Sequence, residues 1–173
     1  MGTEQNIILY AKWRQAATFV TNGAGTITGL TTYGQTLTDI TIPSQIDGVT
    51  ITTIGSGAFE GNKTLEAISL PSTVTTISQN AFRNCALKRF GSGAEITIEE
   101  GAFQYCGSLT VVEIPNAQYI GKYAFNKCSL KEFVTRGIWR INGVEIDFDN
   151  LSAAEKDKVL GGAYNEYEWI RLT

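Results

Sequence analysis

Along residues 37–137 the apolar positions follow two periods in turn. Ile40 and Ile42, Ile68 and Leu70, and Val112 and Ile114 are each separated by one polar residue. That alternation predicts short strands with one buried face. Pro43, Pro71 and Pro115 follow directly; a proline has no N–H to give to a ladder and ends each strand. The second period is longer. Ala81 and Cys85 are four apart, and Phe82 and Cys85 three apart, positions that share a face on a helical turn. This phrase occurs four times: Ile54 to Asn62, Ile77 to Cys85, Ile98 to Cys106 and Ile120 to Cys128, with Ala-Phe pairs 23, 21 and 22 residues apart. A fixed period of this length is the mark of a solenoid, one coil per repeat. The predicted fold class is α/β: a parallel strand ladder on one side, short helical turns on the other, and a cap at each end. Phe fills the coil interior. Ala is small because the next coil's backbone passes close by. Helices pack at 8–10 Å and strands at about 4.8 Å, so such an array bends mildly with its strands on the concave side. The ladder is expected from strands near residues 40, 68, 90, 112 and 133, with local interruptions at Phe90-Gly91 and at Phe133.

The flanking segments do not repeat. Residues 6–13 predict one strand from their β-branched and aromatic content. Residues 17–30 predict a hairpin about Asn22-Gly23, which supplies the positive φ of a tight turn. A first coil has no upstream neighbour, so this hairpin serves as the N-terminal cap. Downstream, Trp139 to Phe148 predicts a second hairpin turning at Asn142-Gly143. In that register Trp139 faces Ile146 and Arg140 faces Glu145. Ser152 and Glu155 form a capping box that opens a helix to Leu160, stopped by Gly161-Gly162. Residues 167–172 alternate like a final strand. The segment either covers the last coil or forms a small module of its own; the cap is preferred, because an array needs one. The expected organisation is 1–14 as a remnant or linker, 15–137 as the capped solenoid and 138–173 as the C-terminal cap.

Composition narrows the chemistry. The chain has 173 residues, a net charge of −3 and no histidine. No basic run is present to neutralise phosphates, which speaks against nucleic acid. No apolar run approaches the roughly 20 residues that span a bilayer. Without histidine, Ser-His-Asp and Cys-His sites are excluded. Glu99 and Glu100 lie side by side on a surface turn with nothing to shift a pKa. Gly91-Ser-Gly93 lacks the lysine and helix of a phosphate loop. Glu145, Asp147 and Asp149 suggest a calcium loop, but they lack the EF-hand spacing and fit a strand's solvated face. Asn62-Lys-Thr64 and Asn150-Leu-Ser152 match the glycosylation sequon. Cys85, Cys106 and Cys128 end three of the four phrases and fit a ladder of buried free thiols, one per coil. A bridge between Cys85 and Cys106 stays open at this point. No catalytic, metal or cofactor site is expected.

Two resemblances add to this reading. Leu-x-x-Ile-x-Ile/Leu-Pro, then Val-x-x-Ile, then Gly-x-x-Ala-Phe-x-x-Cys resembles the BspA-type leucine-rich repeat over about two-thirds of the chain, and Gly25 to Ile51 resembles the usual lead into that array. The resemblance implies a short leucine-rich-repeat solenoid from a secreted or cell-surface bacterial protein, with an adhesin-like role. The sequence departs from the pattern after Leu87 and Leu130, where Phe90-Gly91 and Phe133-Val134 replace the Ile-Pro ending. Leu9 to Trp13 resembles the last strand of the internalin-type B-repeat, the Listeria–Bacteroides repeat. That implies a fragment of a longer protein, with Met1-Gly2 as an added start.

The function expected is a non-catalytic, protein-interaction module within a larger surface protein; the alternative is a structural spacer holding other modules away from the cell wall. The candidate binding face is the outward side of the strands: Asp39, Thr41, Ser69, Lys88, Arg89, Glu113, Lys131 and Glu132, with Ala67 and Val111 between them. These are small or charged and include no Tyr or Trp, so weak, multivalent contact by a monomer with an extracellular protein or glycan, of host or bacterial origin, is the expected mode.

Overall fold

The computed structural model describes residues 18–172. The predicted strand 6–13, with its B-repeat resemblance, and Met1-Gly2 lie outside the described residues. From Thr26 to Val134 the chain winds as a β-solenoid whose backbone is hydrogen-bonded to the next coil on three sides.

The longest ladder starts from Thr26–Leu30 and continues through two-residue strands. Thr26–Leu30, Thr53–Ile54, Thr76–Ile77, Thr97–Ile98 and Tyr119–Ile120 pair in parallel and in register. Their inward members, Ile27, Ile54, Ile77, Ile98 and Ile120, form a sealed column through the core. A second ladder lies on the front. Asp39–Thr41 pairs with Ala67–Ser69, and Arg89–Gly91, Val111–Glu113 and Glu132–Val134 pair together, all in parallel. The expected strands near 40, 68, 90, 112 and 133 are therefore present, in two pieces. The interruption falls between Ser69 and Arg89, beside the expected departure at Phe90-Gly91. None occurs at Phe133, which sits in register with Val112; a phenylalanine there fills the same inward position that Phe90 and Val112 fill.

The third side is the Ala-Phe phrase, and here the expected helical turn is realised as tight turns rather than helix. Alternate amides close i→i−3 bonds within the coil, as Ala81 N–H does to Ser78 O and Cys85 N–H to Phe82 O. The intervening amides reach the next coil: Asn80 to Glu100 O, Phe82 to Ala102 O and Asn84 to Gln104 O, at 3.1, 2.7 and 2.7 Å. This alternation needs left-handed residues at two fixed places per phrase. Gly57 and Gly61, Asn80 and Asn84, Gly101 and Tyr105, and Tyr123 and Lys127 all have positive φ. Phe59, Phe82, Phe103 and Phe125 stack along this side with ring centroids 4.8, 5.1 and 5.3 Å apart. That is strand spacing, not helix spacing, so the splay expected from packed helices has no source here.

Hairpins close both ends. Phe19–Thr21 pairs antiparallel with Thr26–Leu30, and Asn22 Oδ1 accepts from the amides of Ala24 and Thr26 across the turn. At the other end Trp169–Arg171 lies antiparallel between Tyr119–Ile120 and Ile138–Ile141. The hairpin Ile138–Ile141 with Val144–Asp147 has the expected register: Trp139 opposite Ile146, and Arg140 opposite Glu145 with a 3.0 Å ion pair. Helix α1 (Ala153–Leu160) begins with the expected Ser152–Glu155 capping box. Phe133 touches Phe125, Phe148 and Trp169, so the phenylalanine column of the repeats runs on into the core of the last segment.

Candidate functional site

The front ladder sets its side chains by the two-residue period. Ile40, Ile68, Phe90 and Val112 point inward and are buried, and their neighbours point out. All eight residues of the expected face, Asp39, Thr41, Ser69, Lys88, Arg89, Glu113, Lys131 and Glu132, are exposed. The register places Asp39 beside Ala67, Thr41 beside Ser69, and Arg89, Val111 and Glu132 in one row. The break after Ser69 divides them, so the first three belong to one short sheet and the rest to another.

Much of the charge on this face is already paired from coil to coil. Lys88 Nζ lies 2.6 Å from Glu66 Oε2, and Arg89 lies 2.9 Å from Glu113 Oε2. Each such exposed pair contributes only about 0–1 kcal/mol to stability. Their effect is to lower the local field and hold long side chains in place. A shallow cleft of about 300 Å³ adjoins each end of the ladder. Thr18, Phe19, Tyr33 and Leu37 line one with Asp39 and Thr41. Phe148, Leu151, Lys156 and Val159 line the other with Lys131 and Glu132.

The other residues singled out have structural partners. Each cysteine thiol donates to a phenylalanine carbonyl one coil upstream: Cys85 to Phe59 at 2.8 Å, Cys106 to Phe82 at 2.9 Å and Cys128 to Phe103 at 3.2 Å. All three are free thiols, Cys85 and Cys106 buried and Cys128 half-buried. The Cys106 thiol and burial together hold Cys85 well above the ordinary thiol range, and burial does the same to Cys128. Asn62, which ends the first phrase, instead accepts from the amides of Thr64 and Leu65. The acids 145, 147 and 149 do not converge. Glu145 pairs with Arg140, Asp147 accepts from Asn150 and the Asp149 amide, and Asp149 accepts from the Gly137 amide. The hydrogen bond from Asn150 lowers the Asp147 pKa.

Sequence reasoning missed the opposite surface. Tyr105 is 45% exposed on the turn side, with the Arg83 guanidinium 5.3 Å from its ring centre. The signal was present in the alignment of the four phrases: Tyr105 stands where Gly61 and Asn84 stand in the preceding coils.

A family model described as BspA type leucine rich repeat region matches residues 27–142 in six copies. Among solved structures, a leucine-rich repeat protein from Bacteroides ovatus ATCC 8483 is 32% identical over 54% of this chain and 24% of its own, with a TM-score of 0.47. A leucine-rich repeat protein of T. pallidum is 28% identical over 65% of this chain and 64% of its own, with a TM-score of 0.45. The chain thus spans about a quarter of the first and just under two-thirds of the second. No curated protein matches.

Proposed function

The chain belongs to the BspA-type leucine-rich repeat family, and from that premise we propose that it is an adhesin-like interaction module of a larger bacterial surface protein, acting outside the cell through its front ladder. The observation that carries this reading is the placement of all eight candidate residues on the exposed side of a hydrogen-bonded, preorganised ladder. Preorganisation lowers the ordering cost of binding. The residues themselves are small or charged and partly neutralised by Glu66 and Glu113, which suits contacts that are weak singly and strengthened by repetition along a longer array. The same neutralisation supports a second reading, a spacer that displays other modules.

Surface plasmon resonance against a panel of extracellular matrix proteins tests the first reading. The expected result is weak binding by the monomer, strengthened when the chain is displayed in multiple copies and reduced by Arg89→Glu or Lys131→Glu. Binding untouched by either substitution contradicts the front ladder as the site, and none on multivalent display leaves the spacer. Submicromolar affinity of the single chain contradicts the weak mode.

A further inference from the structure

On the turn side, each phrase contributes outward residues to columns that run across the coils. Glu60, Arg83, Gln104 and Asn126 make one column; Gly61, Asn84, Tyr105 and Lys127 make the next. The backbone bonds at Phe59, Phe82 and Phe103 tie coil to coil beneath them, so the strip has the rigidity of a sheet. Arg83 is held twice, by Glu60 Oε1 at 2.8 Å and by Gln104 Oε1 at 3.3 Å, and lies against the exposed Tyr105 ring. Lys63 Nζ is fixed on Asn84 O and Oδ1 at 2.7 and 2.6 Å. Tyr105 adopts φ 63, a conformation that Gly61 and Asn84 take at less strain in the sister coils. Lys127 takes a similar φ in the next coil, so what sets Tyr105 apart in this column is its exposed ring.

We propose that this strip binds an extended, neutral, β-linked polysaccharide, with Tyr105 as the stacking platform and Asn84, Gln104 and Arg83 as the polar contacts. An aromatic face takes the C–H side of a sugar ring. Planar amides both donate and accept, and the guanidinium donates, which matches the mixed character of sugar hydroxyls. The repeat distance separates this ligand from a peptide. The coils recur every 4.8–5.3 Å along the phenylalanine column, about the rise of one sugar in an extended β-linked chain, whose sugars turn over in alternation so that like faces meet every second coil. An extended peptide presents same-side residues about 6–7 Å apart and runs out of step. The pairing of Arg83 with Glu60 removes the charge beside Tyr105; Lys63 and Lys127 flank it, and the hyaluronan arm of the test reads whether they recruit an anionic chain instead. The proposal concerns a different face from the front ladder and stands or falls separately.

The experiment is amide-shift mapping of the whole chain with cellohexaose, chitohexaose, their disaccharides and a hyaluronan hexamer. Shifts are expected on residues 60–63, 83–84, 104–105 and 126–127, with the neutral hexamers binding at least about tenfold more tightly than the dimers. Tyr105→Asn keeps the fold, since asparagine tolerates this φ, and is expected to weaken binding about tenfold or more. Lys158→Ala, on the exposed side of helix α1, leaves it unchanged. No shift at millimolar sugar, shifts centred elsewhere, hyaluronan binding alone, or a Tyr105→Asn variant that binds like the parent each overturns the proposal.

Discussion

The Cys106 thiol donates to the carbonyl of Phe82, one coil upstream, at 2.9 Å. The same carbonyl accepts the Cys85 amide at 3.2 Å. A buried thiol thus spends its donor on the neighbouring coil, which explains why the position suits a small, weakly polar side chain. In native protein Cys85 and Cys106 are expected to resist a thiol reagent because both are sealed from it, and the half-buried Cys128 to react slowly, because burial disfavours its thiolate. Three thiols should titrate after unfolding. An intact mass two hydrogens short, with one reactive thiol, contradicts the ladder of free thiols.

Phe82 and Phe103 are sealed in the core, each between two stacked rings. Truncation of either to alanine should cost about 3–5 kcal/mol, the usual loss for a buried aromatic. At about 2–4 °C per kcal/mol for a chain of this size, the melting temperature should fall by on the order of 10 °C. A fall of a degree or two by calorimetry means the inward face is misassigned.

Close coil spacing also acts at Gly121. A Cβ there would sit 2.6 Å from the Glu100 nitrogen and 2.7 Å from the Glu99 carbonyl carbon, both backbone atoms. Gly121→Ala should therefore destabilise by about 1–3 kcal/mol, as overpacking does. At Gly93 an added Cβ meets nothing within 4 Å, so Gly93→Ala should melt close to the parent. Equal melting temperatures for the two variants contradict the spacing.

Acid should loosen the last segment first. Asp147 and Glu155 both have lowered pKa values, Asp147 through Asn150 and Glu155 through Ser152. A carboxylate with a depressed folded pKa gives stability that is present above its unfolded pKa and lost as pH falls through the folded one. Both groups are solvent-exposed, so the effect is local. Fluorescence of Trp139 and Trp169, read in a Trp13→Phe variant, should change below about pH 4, the ordinary carboxylate range, before far-UV dichroism of the repeats does. Simultaneous loss at one pH contradicts a separately titrating cap.

The Ala-Phe phrase made the coil legible because its spacing is carried by sealed residues: Phe82, Phe103, Ala81 and Ala102 cannot vary freely. The front strands were legible where Ile40-Thr-Ile42 and Ile68-Ser-Leu70 alternate. The longest ladder was not, since Thr53–Ile54 or Thr97–Ile98 is too short to display a period of two. The helical reading of the phrase had a physical reason as well. Spacings of three and four serve both a helix and a pair of tight turns. What distinguishes them is the backbone sign at Gly57, Gly61, Asn80 and Asn84, residues that readily take positive φ. Tyr105 was missed because tyrosine gives no such sign. Its place is evident only beside its counterparts in the sister coils.

The turn side therefore decides between a three-sided β-solenoid and a strand-and-helix coil. A long-range HNCO experiment, which detects scalar coupling through hydrogen bonds, reads it directly. Couplings are expected from the amide nitrogens of Phe59, Phe82 and Phe103 to the carbonyl carbons of Ala81, Ala102 and Ala124, whose N···O distances are 2.7, 2.7 and 2.8 Å. Couplings instead from each of these nitrogens to the carbonyl four residues before it, as in an α-helix, would contradict the three-sided coil.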